Sequence, residues 1–316
     1  MNKYKLLSIF FFFLLIINIG YTSGKTVTDS LTTKTLYVDD DAPPGWYDET
    51  HFKTIMDAIN SSDNGDAVFV YNGTYSEEVR INHSISIVGE NKYNTIIDGL
   101  NIVSDELTTG FLVSSDNVEI YGFTIQNFNY SGIEAGFNNS NISDNIIKDC
   151  PSIGMMIGGA RNSIINNNIS TGGTGILLGS KDTKIFGNVI TAREGVFADE
   201  SSGNNITSNE IKGCDRGLIF YNSKNNLIKR NNLEGNNDNI FLALSCRNKF
   251  YENNLLGFGD HQVVLKGWSF LNKWRGNYWD NQIIHFLPKI VLGRFGILPI
   301  PWFNVDWHPA RKPYDI

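Results

Sequence analysis

Cysteine is nearly missing: 316 residues hold three, Cys150, Cys214 and Cys246. That is too few for a disulfide framework, and no pair has the spacing of a metal or redox motif. Proline is also scarce, and four of the eight lie between 288 and 309. Basic clusters are absent: 26 Lys and Arg stand against 33 Asp and Glu, for a net charge of −7. Nothing gathers cations as nucleic acid requires, so nucleic-acid binding is set aside, and the acidic balance favours solubility. Helical periodicity fails except over Thr50–Ile59, where Phe52, Ile55, Met56 and Ile59 share a face and Thr50 suits the N-cap. Long apolar runs are missing after Leu6–Ile19. That run follows Lys3 and Lys5 and precedes Thr22-Ser23-Gly24, so residues 1–24 read as an export signal, with an uncleaved N-terminal anchor as the alternative. No other segment is expected to span a membrane.

What is abundant is glycine and asparagine on a beat. Gly110, Gly132, Gly154, Gly175, Gly195, Gly217, Asn239 and Gln262 fall 22, 22, 21, 20, 22, 22 and 23 residues apart, each followed by a short apolar strand. Asn145, Asn168, Asn188, Asn209, Asn231, Asn253 and Asn277 keep a second beat of 23, 20, 21, 22, 22 and 24. A period near 22 without a helical stripe excludes helical repeats and implies a solenoid of about three short strands per turn. The expected fold is all-β: a parallel β-helix in which each strand pairs with its copy one coil away. Inward asparagines at a bend would then stack as a ladder, each amide satisfied by the next coil.

The β-helix is expected over 36–280, with irregular first coils and a regular stack from Gly110 to about Trp279, after a polar linker at 25–35 expected to be disordered. The lone helix would cap the first coil, whose strand edges are otherwise open. Residues 281–316 read as an apolar tail packed on the stack. Cys150 and Cys214 share a register position three coils apart, roughly 14 Å at ~4.8 Å per coil and so beyond a disulfide's ~7 Å reach.

Asn72-Gly-Thr-Tyr75, Ile87-Val-Gly89, Thr95-Ile-Ile-Asp-Gly99, the recurring Asn-x-Ile and Gly-Ile-x-Leu patterns and Trp274-Arg-Gly-Asn-Tyr-Trp-Asp280 resemble the right-handed parallel β-helix proteins of the pectin-lyase-like superfamily. More narrowly, they resemble its NosD-like (CASH-type) group. The resemblance covers roughly 36–280. It implies an exported accessory tied by name to copper delivery for nitrous oxide reductase, among relatives that bind or process polysaccharide.

Chemistry could sit at four places. Arg193-Glu194, Asp215-Arg216, Asn237-Asp238 and Asp260-His261 occupy equivalent positions on successive coils, with Asp199-Glu200 just beyond the Val196 strand. The alternating charges are expected either to pair across coils or to frame a glycan or uronate site around Asp215 and Arg216. No catalytic set is legible; a lyase would need a base with Ca²⁺ or Arg, and a hydrolase two carboxylates at defined separation. The soft and imidazole donors (Met155, Met156, Cys150, His51, His83, His261, His285, His308) lack ligand spacing, so no metal site is expected and copper rests on the resemblance. Asp39-Asp40-Asp41 could hold Ca²⁺ or be a solvated acidic loop.

The fourth place is an outward stripe, Glu134, Met156, Leu177, Phe197, Ile219, Phe241 and Val264, apolar in six positions of seven. Such a stripe should not face water, and the tail is expected to fold back over it. The functional expectation is an extracytoplasmic, secreted or cell-surface scaffold, non-catalytic, binding glycans or surface proteins. The alternatives are a polysaccharide lyase, epimerase or hydrolase, or a NosD-like accessory to copper-enzyme maturation.

Overall fold

The computed structural model describes residues 33–316 apart from 105, 258–260, 286 and 296–297. The expected export signal and nearly all of the 25–35 linker lie outside the described residues. From Thr35 onward the chain winds as a right-handed parallel β-helix. One coil shows the plan: Glu194–Asp199 on a first face, Asn205–Thr207 on a second and Glu210–Lys212 on a third. Each strand pairs in parallel with its copy in the next coil, as in Glu194↔Arg216, Ile206↔Ile228 and Ile211↔Leu233.

Alternation along each strand sends one set of side chains inward, and stacking turns these into columns. Ile142, Ile164, Ile185, Ile206, Ile228, Phe250 and Trp274 line the inside of the second face, all at most 5% exposed. Ile147, Ile169, Ile190, Ile211, Leu233, Leu255 and Trp279 do the same for the third. Each buried aliphatic side chain contributes about 1.5–3 kcal/mol relative to exposure. Toward the C-terminal end the columns widen into aromatics, and Phe250 stacks on Trp274 at 4.2 Å.

The bends recur in the backbone. Asp144, Asn166, Ser208, Arg230 and Glu252 all adopt left-handed backbone, φ near 54°. The residue after each points inward and is an asparagine. Asn145 opens the ladder, accepting one bond from Phe123 N at 3.0 Å, and each later such Asn receives two at its Oδ1 from the preceding coil: Asn188 N and Nδ2 donate to Asn209 Oδ1 at 3.0 Å each, and Asn209 N and Nδ2 donate to Asn231 Oδ1 at 3.0 and 2.9 Å. Its Nδ2 also donates to a backbone carbonyl one coil back, as Asn209 does to Ile185 at 3.0 Å. Left-handed backbone costs a non-glycine residue about 1–2 kcal/mol, and this buried network offsets it at every turn.

In one coil the ladder residue is not the expected one. Asn167 is buried and receives Asn145, while Asn168 lies one place on in a strand with its side chain exposed. The left-handed residue there is Asn166, so the inward step falls at 167, and Ile164 rather than Ile165 fills the core.

The N-terminal helix is shorter than expected, Ile55–Asn60, with Thr54 as its cap through Asp57 N at 3.1 Å. His51–Phe52 instead pairs as a strand with Tyr37–Val38. Glu77 fixes the helix start, its two carboxylate oxygens accepting Ile55 N and Met56 N at 2.9 Å.

The tail does not run along the apolar stripe. Lys289–Phe295 and Leu298–Asp306 form an antiparallel hairpin that extends the stack: Gly293 pairs with Leu265 on the first face, and Asp306 with Trp274 on the second. The open end of the last coil presents unmatched backbone groups and the last ladder donors, whose burial without partners costs more than a half-covered stripe. Asp306 is fully buried and accepts Gly276 N at 3.0 Å, Asn277 N at 2.9 Å, Asn277 Nδ2 at 3.0 Å and Trp279 Nε1 at 3.3 Å. It terminates the ladder.

Candidate functional site

The first face carries the charged corner. Glu194, Arg216 and Asp238 face outward on three adjacent strands, directly opposite one another, with the His261 backbone next in register. Arg216 reaches both acids, Nη1 to Glu194 Oε1 and Nε to Asp238 Oδ2, each at 3.8 Å. Its guanidinium also lies over the Phe241 ring at 4.7 Å, and Lys266 Nζ approaches the same ring at 5.2 Å. Thr174 donates to the other Glu194 oxygen at 3.3 Å.

The remaining candidates separate from this cluster. Arg193, Asp215 and Asn237 form an exposed second row in which Asn237 Nδ2 donates to Asp215 Oδ1 at 3.2 Å. Asp199 sits five residues along its strand from Glu194, roughly 16 Å at ~3.3 Å per residue. Its Oδ1 is shielded without a protein donor. Glu200 turns the corner in left-handed backbone, φ 49°, with an exposed side chain. Asp260 and the side chain of His261 lie outside the described residues. No two carboxylates therefore converge unopposed on this face among the described residues.

The stripe is self-shielded. Ile219 is 3% exposed, between half-buried Phe197 and Phe241, while Met156, Leu177 and Val264 are half-buried. Long side chains such as Arg216 and Lys266 lay their stems across it and keep their charges in water.

Several of the soft and imidazole donors are already buried or engaged. Burial pushes the Cys150 and Cys214 thiols up to about 11, and each Sγ donates to a carbonyl, Lys148 and Lys212, at 3.5 Å. Met155 is fully buried in the core. His51 meets Trp46 edge to face at 4.4 Å and bonds Asp48 at 2.8 Å, and His83 lies between Ser62 at 2.8 Å and Asn82 at 2.9 Å. Among the described residues, the one group of three converging His, Cys, Asp or Glu donors is Asp39, Asp40 and Asp41, whose carboxylate oxygens lie within 4.8 Å of one another. These hard oxygen donors suit Ca²⁺ rather than copper. Burial raises the Asp40 carboxyl above its ordinary value, and Asp41 adds to the effect. A thiol reagent at about pH 8 is expected to titrate Cys246 alone in the folded protein and all three cysteines after denaturation, since only thiolate reacts; early reaction of Cys150 or Cys214 would contradict their burial.

Residues 59–282 match the family described as "Periplasmic copper-binding protein (NosD)". The chain belongs to the NosD family. That family is periplasmic, so the chain is assigned outside the cytoplasm. No curated protein sequence matches this NosD-family chain. Among solved structures it is similar to pectate lyase Pel9A, at 14% identity and TM-score 0.59 over 79% of this chain and 80% of that one. It is also similar to the A-module of the Azotobacter vinelandii mannuronan C-5 epimerase AlgE4, at 12% identity and TM-score 0.57 over 71% and 81%. At these identities the likeness is one of fold. Among the described residues of this NosD-family chain, no helix is long and apolar enough to cross a membrane.

Proposed function

We propose that this NosD-family chain is a non-catalytic extracytoplasmic scaffold that binds surface glycans across its first face, centred on Arg216 and Phe241. The observation that carries this reading is the closed charge column: Glu194, Arg216 and Asp238 neutralise one another at 3.8 Å on either side of the arginine, beside a ring. Such an arrangement presents polar groups and an apolar platform to a sugar but leaves no free carboxylate pair for acid–base work. The burial of Cys150, Cys214 and Met155 and the engagement of His51 and His83 favour a scaffold over a metal carrier.

A glycan-array screen of the purified protein, run beside assays for unsaturated uronates and new reducing ends, tests it. Binding without product is expected, with Arg216→Ala weakening it about tenfold, the loss of one charge-assisted contact. Accumulating product, or binding indifferent to Arg216→Ala, would overturn the reading.

A further inference from the structure

The second face ends in a groove that no residue of the charged corner touches. Its volume is 510 Å³, and Tyr251, Lys273, Arg275, Phe303 and Trp307 line it. It forms where the strands Lys249–Tyr251 and Lys273–Arg275 meet the last strand of the C-terminal hairpin.

Two features set this groove apart. The first is charge. The protein's net charge is −7, yet here Lys249 stands directly opposite Lys273, and Tyr251 opposite Arg275. Lys249, Lys273 and Arg275 are exposed, and none has an ion pair among the described residues. The neighbouring acid, Glu252, is already engaged by Lys229 and Arg230 at 3.3 Å each. Like charges opposite one another on adjacent strands, ~4.8 Å apart, repel. A bound anion would relieve that repulsion. The second feature is apolar. Phe303, on the last strand, is 68% exposed and Trp307, one residue past its end, 65% exposed, and both line the groove with these cations. Large rings held in water beside unpaired cations match an anionic sugar, whose C–H face stacks on a ring while its carboxylate takes the charge-assisted bonds.

We propose that this groove is a second binding site, for an acidic oligosaccharide of the uronate type. Lys273 and Arg275 take the carboxylates, and Trp307 and Phe303 take the sugar faces. The site is independent of the first-face reading, since it shares no residue with it.

The test is calorimetric titration of the full protein with a galacturonate tetramer, in parallel with a neutral cello-tetraose and a tetraglutamate peptide. The tetramer is expected to bind with an affinity that falls as salt rises, and the neutral sugar much more weakly. Lys273→Gln with Arg275→Gln is expected to lower that affinity at least tenfold, and Trp307→Ala to do likewise. Circular dichroism and the thermal midpoint of each variant establish that it is folded. The proposal is overturned if the tetramer does not bind, or if the folded double variant binds it as the parent does. It is equally overturned if tetraglutamate binds as tightly, which would mark an acidic peptide site. Loss of tetramer binding on Arg216→Ala would place the ligand on the first face and also overturn the groove.

Discussion

Replacing Asp306 by alanine is expected to destabilise the C-terminal coils by about 3–5 kcal/mol, the range for breaking a buried charged network. The substitution removes the acceptor of Gly276 N, Asn277 N and Trp279 Nε1 and one of the two acceptors of Asn277 Nδ2, whose other bond goes to the Phe250 carbonyl at 2.8 Å. A buried donor without an acceptor costs about 1–3 kcal/mol, and these losses couple rather than add. Asp306→Asn keeps one acceptor oxygen, the group that continues the ladder in the coils from Asn145 to Asn277, and is expected to recover part of the loss. Because solenoid coils contact only their neighbours, the damage should be local at first. Hydrogen exchange at 276–279 should accelerate well before exchange at 206–211. Equal acceleration along the whole stack, or urea midpoints unchanged by Asp306→Ala, would show that the tail does not hold the ladder's end.

Gly195→Ala should cost about 2–4 kcal/mol, the range for overpacking against unyielding atoms. A methyl there would meet the Gly217 carbonyl oxygen at 2.4 Å and Ile211 Cγ2 at 2.6 Å. One of these is the backbone of the next coil and the other a core side chain of the third face, so neither can give way cheaply. Gly213 is the comparison. A methyl there meets nothing within 4 Å, and its left-handed backbone, φ 66°, limits the penalty of Gly213→Ala to about 1–2 kcal/mol. The two variants can be ranked by thermal or urea denaturation. A larger loss at Gly213 than at Gly195 would mean that backbone strain, not close approach of coils, explains the glycine column.

That column was legible as a period but not as a cause. Gly110, Gly132, Gly154, Gly175, Gly195 and Gly217 recur because each sits against the next coil's backbone. Where the column changes to Asn239 and Gln262, the amides bond each other at 2.9 Å. The asparagine beat was also legible, with its register misread by one residue at Asn168. Adjacent asparagines at 166, 167 and 168 all fit the spacing, and only the left-handed turn at Asn166 decides which one faces in. A second ladder went unread. Asn162, Thr183, Asn204, Asn226, Asn248 and Asn272 pass hydrogen bonds coil to coil at a second corner. Each stands five residues before a ladder Asn, and that spacing was available to find them.

The functional surface was harder to read. Glu194, Arg216 and Asp238 were placed opposite one another by counting, because register in a stack of near-constant period follows from the period. Asp199 and Glu200 were grouped with them by nearness in sequence, although ~3.3 Å per residue carries them to the strand's far end. The groove was invisible because it joins Lys273 and Arg275 to Trp307, a contact made by a hairpin that leaves the repeat.

By itself the sequence determined the solenoid, its parallel pairing, its inward columns and the order of side chains on each face, because one period applied many times leaves few alternatives. The tertiary structure alone decided how the repeat ends. No beat runs through residues 281–316. Their place was set by the unmatched donors of the last coil, which required a buried acceptor from outside the repeat and found it in Asp306.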